Sequence, residues 1–142
     1  MNQYRTYPID EICSKIKQAP NLKSVFTVNA ISLPETGLAY KVAYEMKGSI
    51  NPTQFRKFYD LVKSAKDISK ESFEKGREKL YSLVPQIAYS VGRNLCDRNL
   101  YKLIKEAIIP AKIQDKKDIE AFADFFEAMV AYRKFIDKKG KR

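Results

Sequence analysis

The chain has 142 residues, enough for one domain with a single hydrophobic core, and it carries 27 basic and 17 acidic residues for a net charge of +10. It contains no histidine, which excludes Ser-His and Cys-His nucleophile pairs and the usual nitrogen ligands of zinc. The positive balance favours a polyanionic partner, such as nucleic acid, an anionic membrane surface or an acidic protein, although a basic protein can also be merely soluble.

No local motif indicates catalysis. The chain lacks a glycine-rich phosphate loop, a paired-acid motif and clustered ligands, so we expect no enzymatic activity, no cofactor and no metal. Cys13 and Cys96 stand far apart and are expected to be small buried residues. No run is apolar enough to span a membrane, and the N-terminus lacks the features of a signal peptide, so we expect a cytoplasmic protein without membrane contact.

The N-terminal third has the weakest helical pattern. Residues 1–9 are predicted to form an irregular arm, followed by a short helix over Asp10–Gln18. Residues 21–34 include a segment with the composition of a strand, but no other segment offers a partner strand. We therefore predict a loop or helical turn here, anchored by Val25, Phe26 and Val28.

The next two helices have clear boundaries. A helix is predicted from Glu35 to Lys47, with Gly48 as its C′ residue. Asn51 is the expected N-cap of the following helix, Pro52 its first residue, and Gln54 the partner in a capping box. The buried face of this second helix is predicted to contain Phe55, Phe58, Tyr59 and Val62.

The outer face of that helix is basic. It carries Arg56, Lys57 and Lys63, with Asp60 between them. One interpretation is a solvated face on which Asp60 pairs with Arg56 or Lys63; the other is a surface that contacts phosphates. This helix alone favours the solvated face.

A further helix is predicted to start at Ser69 and to be kinked or split by Pro85, which lacks an N–H. Gly92 is its predicted C′ stop, and Arg93 then lies in a connector, where functional residues are common. The apolar stripe of this helix is Phe73, Leu80, Val84, Ile87 and Val91.

The helix that follows has an uncompensated basic face. Asp97 is its expected N-cap and Pro110 limits it. Arg98, Lys102 and Lys105 share the outer face without an intervening acid, whereas Glu106 points elsewhere. Like charges on one face repel, so both a polyanion and a solvated face explain this stripe. Its inward residues are Leu100, Leu103, Ile104, Ala107 and Ile108.

The last helix, predicted over Asp115–Phe135, is the element on which the others should pack. Asp115 is its expected N-cap, and Asp118 favours the helix start. An acidic face with Glu120, Asp124 and Glu127 is either solvated or faces a neighbouring copy. The apolar face is Ile119, Phe122, Phe126, Met129 and Val130, with Phe125 and Tyr132 on its flank.

Two features follow at the C-terminus. Arg133 falls on the apolar side of the helix, so its stem is expected to pack while its guanidinium reaches solvent or caps C-terminal carbonyls. We favour this structural role over a direct nucleic-acid contact. Residues 136–142 are expected to form a basic, mobile tail.

Three segments, in this order, resemble one known family. They are NPTQFRKFYDLVK at residues 51–63, PQIAYSVGR at residues 85–93 and FADFFEAMVAY at residues 122–132. Together they resemble the small helical subunit of the type III-A CRISPR–Cas effector, the Csm complex, over about residues 35–135. Members often have histidine where this chain has Arg133.

The resemblance implies an all-α fold, a compact bundle of about five helices in a single domain. It also implies a non-catalytic antiviral subunit, because the nuclease and cyclase activities belong to other subunits. By the same resemblance, copies are expected to stack on one another beside the backbone and large subunits and to contact the guide RNA and the target RNA through sugar-phosphate. Arg56, Lys57 and Arg93 lie in matching motifs. We add Lys63 from its basic helix face and Arg98, Lys102 and Lys105 from the uncompensated stripe.

An alternative class is a basic DNA-binding protein of helix-turn-helix type. It requires two short helices joined by a tight turn and a recognition helix that begins with base-reading residues. The connector after Gly92 is the nearest candidate, and its sequence fits poorly.

Overall fold

The computed structural model describes residues 8–46 and 51–140, and the secondary structure within those ranges is entirely helical. The all-α class is confirmed, but about five helices is too few for these ranges. They contain nine α-helices and a short 3-10 turn at Pro110–Lys112. The α-helices are α1 Pro8–Gln18, α2 Leu22–Val25, α3 Val28–Ser32, α4 Leu38–Glu45, α5 Pro52–Ser69, α6 Phe73–Tyr81, α7 Leu83–Gly92, α8 Arg98–Ala107 and α9 Lys116–Gly140.

Helix α9 is the centre of the core, as predicted. Its aromatic face is fully buried, and helices α2, α3, α4, α5 and α6 pack on it. Phe26, just after α2, stacks on Phe125 with ring centroids 4.3 Å apart, and Phe55 of α5 meets Phe126 edge-on at 5.7 Å. Such aromatic pairs stabilise a core beyond the burial of their area. The fully buried residues of α9 are Ile119, Phe122, Phe125, Phe126 and Met129.

Two carboxylates begin α9 and attach it to α2. Asp115 accepts hydrogen bonds from the amides of Lys117 at 2.9 Å and Asp118 at 3.3 Å, so it is the predicted N-cap. Asp118 accepts the Asp115 amide in return at 3.3 Å, which completes a capping box. The fully buried Asp118 also accepts the amides of Lys23 at 2.9 Å and Gln114 at 2.8 Å. The bond from Lys23 joins residues 95 apart in sequence.

Arg133 ties the other end of α9 to α4. Its guanidinium is buried, and Nε donates to both carboxylate oxygens of Asp137 at 3.0 and 3.2 Å. Nη1 donates to the carbonyl oxygen of Met46, the C-cap residue of α4. Arg133 therefore caps a carbonyl as predicted, although the carbonyl belongs to another helix and the guanidinium does not reach solvent. Residues 136–140, expected in a tail, continue α9, and Ile136 is buried.

The N-terminal predictions require corrections. Helix α1 begins at Pro8, so the last residues of the expected arm are helical, while residues 1–7 and Gly48 lie outside the described ranges. Phe26 is a buried anchor, but Val28 is 76% exposed and anchors nothing. The predicted anchor is wrong there because α3 begins at Val28 with its side chain turned outwards.

The boundary between α5 and α6 also differs from the prediction. Ser69 ends α5 rather than starting the next helix, because it continues the buried face of α5. Ser72 is the N-cap of α6, and its hydroxyl accepts the Lys75 amide at 3.2 Å. The predicted split occurs at Ser82, three residues before Pro85. Pro85 then lies in the first turn of α7. Backbone N–H groups in a first turn have no intrahelical acceptor, so proline loses no hydrogen bond there.

The two cysteines are free. Cys96 is buried, as predicted, and burial followed by the charge of Asp97 raises the pKa of its thiol to about 12. Cys13 is only half-buried. Within the described ranges, no cluster of three or more acidic, cysteine or histidine side chains can hold a metal, and no helix is long and apolar enough to cross a membrane.

Candidate nucleic-acid interface

The end of α7 has a well-defined local geometry that positions Arg93. Arg93 is the C-cap, and Asn94 adopts a left-handed conformation with φ of 61°. The backbone N–H of Asn94 donates to the Val91 carbonyl at 3.0 Å, and the backbone N–H of Leu95 donates to the Ser90 carbonyl at 2.9 Å. These two bonds are the Schellman pattern. Gly92 was predicted to take the left-handed position, and this is wrong because Gly92 is the last helical residue. Asparagine tolerates that conformation better than most residues.

Hydrogen bonds hold the first turn of α5 against the end of α7. Asn51 caps α5 as predicted, accepting the amides of Thr53 and Gln54 at 2.9 and 3.2 Å. Gln54 does not complete the capping box. Its Oε1 accepts from the Ser90 hydroxyl at 2.9 Å, and the Asn51 amide donates to the Leu95 carbonyl at 3.1 Å. Gln54, which was predicted to complete the capping box of α5, therefore links α5 to α7 instead.

This junction forms an open groove of about 300 Å³, which we call the α5–α7 groove. Lys57 enters it from α5 and Arg93 from the end of α7, so two predicted site residues that are distant in sequence share one surface. The guanidinium carbon of Arg93 lies 5.7 Å from the ring centroid of Tyr89. The polar and aromatic residues that line the groove are Gln54, Lys57, Gln86, Tyr89, Ser90 and Arg93.

A second basic surface lies on α8, and we call it the α8 stripe. Asp97 caps this helix as predicted, accepting the Asn99 amide at 2.8 Å, and the inner face packs against α1 and α7. Arg98, Lys102 and Lys105 are exposed on the outer face.

Glu106 is turned away from the α8 stripe, as predicted. It is half-buried near Cys13 of α1, where burial first and then the Glu106 charge raise the pKa of the thiol.

All seven predicted site residues are exposed, and none forms an ion pair with a described carboxylate. The pairing of Asp60 with Arg56 or Lys63, which the solvated interpretation of α5 requires, is absent from the described side chains. The Nζ atom of Lys63 lies instead 6.0 Å from the ring centroid of Tyr59. Of the seven, the structure brings together Lys57 and Arg93 in one groove, and the α8 residues in one stripe.

The acidic face of α9 serves an internal contact. Asp124 accepts from Lys66 of α5 at 3.1 Å. The hydrogen bond to Asp124 raises the pKa of Lys66, and the charges of Glu127 and Glu120 act in the same direction. At least one member of this acidic face therefore helps to hold α5 on α9.

Tyr89, Gln54 and Gln86 line the groove but were missed from the sequence. A signal for Tyr89 was present, because it precedes Arg93 by four residues and so shares its helix face. No local signal indicated Gln54, since its role depends on the packing of α5 against α7.

A model of the Csm2 type III-A family matches residues 35–139, which is 105 of the 142 residues. The chain belongs to this family. Csm2 is the small subunit of the type III-A CRISPR effector, generally a non-catalytic one, so the predicted resemblance is confirmed. All seven predicted site residues fall inside the Csm2 match, whereas helices α1, α2 and α3 precede it. Comparisons with curated proteins and with solved structures gave no match.

Proposed function

We propose that this chain is a non-catalytic Csm subunit that stacks along the guide–target duplex and contacts its sugar-phosphate backbone, in support of antiviral defence in the cytoplasm. Its partners are the guide RNA, the target RNA, other copies of itself, and the backbone and large subunits; it needs no cofactor. The observation that carries the proposal is that all seven predicted cations are exposed and unpaired with any described carboxylate.

Unpaired cations on a surface suit a backbone-reading role. A subunit that works with any guide sequence must bind phosphates rather than base edges, and lysine and arginine provide that contact. The α5–α7 groove ends at Arg93 and the α8 stripe begins at Arg98, so one short connector joins the two basic surfaces. Weak binding by each copy is sufficient, because several linked copies act together.

The first experiment measures RNA affinity of the triple variant Arg98→Glu, Lys102→Glu and Lys105→Glu. Binding of a single-stranded RNA should weaken strongly, and log affinity should depend less steeply on log salt, by about 0.7 for each phosphate that the variant no longer neutralises. Circular dichroism should show an unchanged fold, because all three side chains are exposed.

The matched control reverses the charge of three other exposed lysines outside both basic surfaces, Lys75, Lys79 and Lys116. Equally weakened binding in the two triple variants would show that only net charge matters and would reject the α8 stripe. Preference for one duplex DNA sequence over others would instead support the helix-turn-helix alternative.

Contact between copies through the acidic face of α9 is a separate part of the proposal. Asp124 already pairs with Lys66, so reversing its charge would disturb the fold as well as any contact. The exposed Glu127 is the better test position. If Glu127→Lys leaves assembly of the complex unchanged, this face is not the contact between copies.

A further inference from the structure

We propose that the α5–α7 groove binds one unstacked nucleotide of single-stranded RNA, with its base on the ring of Tyr89 and its phosphates beside Lys57 and Arg93. This inference rests on the proposed RNA-binding function and adds a stacking contact to it. The observation behind it is that an exposed aromatic ring shares one groove with two cations that pair with no described carboxylate.

Tyr89 makes little contribution to the core. Its side chain is 66% exposed, although it belongs to a helix whose other face is well buried. Since an aromatic residue stabilises a fold mainly by burying its ring, folding alone does not account for a tyrosine at this position. The ring faces the groove that Lys57 and Arg93 also line.

The groove has the polar groups that a nucleotide requires. Lys57 is a point charge on α5, while Arg93 has a planar guanidinium close to the Tyr89 ring, and both suit phosphate. Gln54 and Gln86 add amide groups to the walls. Its volume of about 300 Å³ lies at the lower end of the range for small-ligand sites, which fits a single nucleotide.

The walls are held in place before any ligand binds. The hydrogen bond from Ser90 to Gln54 and the bond from the Asn51 amide to Leu95 fix α5 against α7. The Schellman bonds fix the backbone at Arg93. A site whose walls are already ordered binds more tightly because less freedom is lost on binding.

Stacking on a tyrosine is compatible with a subunit that accepts every guide. Each base has a π face, so stacking does not depend on sequence. In a duplex the bases already stack on one another, and the ring of Tyr89 adds nothing there. Phosphate contacts, in contrast, serve single strands and duplexes alike, so the two contributions can be separated by experiment.

The experiment compares Tyr89→Ala, Tyr89→Leu and Tyr89→Phe in the full chain. The probes are a short single-stranded RNA with one 2-aminopurine, and the same strand in an RNA duplex. The alanine and leucine variants should bind the single strand about 5- to 150-fold more weakly than wild type, as expected when one base no longer stacks. The phenylalanine variant should bind like wild type. Wild type and Tyr89→Phe should both quench the 2-aminopurine fluorescence of the single strand.

The matched control is Tyr44→Ala, which removes a tyrosine that is 51% exposed on α4, outside the groove. It should leave RNA affinity unchanged, and thermal unfolding should show that every variant is folded. Wild-type affinity for single strands in Tyr89→Ala would overturn the inference. An equal reduction of affinity for duplex and single strand would also overturn it, because the ring would then act by positioning Arg93.

The failure of this inference differs from failure of the proposed function. If Lys57→Glu abolishes RNA binding while Tyr89→Ala does not, the backbone contact stands and stacking is rejected. If wild type binds no RNA, both are rejected. If Tyr89→Ala binds RNA normally but no longer enters the assembled complex, stacking is rejected and the ring contacts a protein instead.

Discussion

Arg133 differs in its surroundings from the seven predicted site residues. The seven predicted side chains are exposed and unpaired with described carboxylates, whereas the guanidinium of Arg133 is buried and hydrogen-bonded to Met46 and Asp137. Its place on the aromatic side of α9 already indicated a structural role. Burial therefore separates the structural arginine from the exposed cations that we propose contact RNA.

The variant Arg133→Met should lower the free energy of unfolding by about 1–3 kcal/mol, because the Met46 carbonyl loses its charged donor. Methionine keeps an unbranched stem that fills the same space. Urea unfolding measures the effect, with Lys134→Ala as the control on the exposed side of α9, expected within about 0.5 kcal/mol of wild type. Equal effects of the two substitutions would contradict the structural role.

Asp115 gives a prediction about pH. Desolvation acts to raise the pKa of its carboxyl, but Lys23 and the amides of Asp118 and Lys117 outweigh it, so the pKa is lowered. A lowered pKa means that the carboxylate stabilises the fold above about pH 4 and that this contribution is lost as the pH falls through the folded-state pKa. Asparagine also caps helices well, so Asp115→Asn removes the charge while keeping the cap.

At pH 7 the Asp115→Asn variant should be less stable than wild type by a few tenths of a kcal/mol, the size expected for an exposed ion pair. The difference should shrink as the pH falls below about 4 and disappear once the pH is below the folded-state pKa. Asp60→Asn makes the same change of charge where no described cation pairs with the carboxylate, and it should show no such dependence. A pH-independent difference for Asp115→Asn would mean that the charge contributes nothing.

At the scale of elements, α5 and α6 pack so closely that one position excludes a side chain. A Cβ atom on Gly76 would lie 2.6 Å from Cβ and 2.7 Å from Cα of Ser69. Since Cα belongs to the backbone, relief requires the two helices to move apart. Gly92, at the end of α7, has open space around it.

The pair Gly76→Ala and Gly92→Ala should therefore change stability in opposite directions. Gly76→Ala should cost about 1–3 kcal/mol through overpacking. Gly92→Ala should stabilise by about 0.4–1 kcal/mol, because it reduces the freedom of the unfolded chain without strain. Thermal and urea unfolding measure both, and a stabilising Gly76→Ala would show that the helices separate without cost.

How much the sequence could predict depended on whether the signal was local. The N-caps Asn51, Asp97 and Asp115 were predicted correctly, since each acts within its own first turn. Ser69 was misassigned because Ser72, three residues later, offers an equally good cap. Gly92 was predicted at the C′ position because glycine is the commonest residue there, whereas Asn94 is the residue with the left-handed conformation.

The candidate site was predictable in its charges but not in its shape. Lys57 and Arg93 were named from motifs and spacing, but only the packing of α5 on α7 shows that they share a groove. Tyr89 was missed because an aromatic residue in an apolar helix is usually assigned to the core. The short helices α2 and α3, with four and five residues, are too brief for a periodic pattern to show.

At the scale of the whole molecule, the family match begins at residue 35, yet the core does not. Ile9, Ile12 and Ile16 of α1 are fully buried, and α1 packs on α4 and α8. Each buried isoleucine stabilises a fold by about 1.5–3 kcal/mol. Three of them therefore contribute an amount comparable with the total stability of a domain, about 5–15 kcal/mol.

A chain that starts at residue 35 should consequently lose cooperative unfolding and bind hydrophobic dyes, although it retains the whole family match. The milder variant Ile12→Ala should cost about 2–5 kcal/mol, and Ser14→Ala, on the exposed side of α1, should be neutral. Circular dichroism and dye fluorescence measure these outcomes. A shortened chain that melts like wild type would show that the first three helices are dispensable.

The hydrogen bond from the Lys23 backbone N–H to Asp118 also bears on how the chain folds during synthesis. Its two residues lie 95 apart, so a ribosome that adds about 5–20 residues per second needs roughly 5–20 s to make the second after the first. For most of that interval α1 can pack on α2 and α4 but lacks α8, the helix with which it shares its largest contact. The nascent chain thus presents a partly uncovered apolar helix that chaperones can bind, and a polypeptide released before α8 is made keeps that face of α1 exposed.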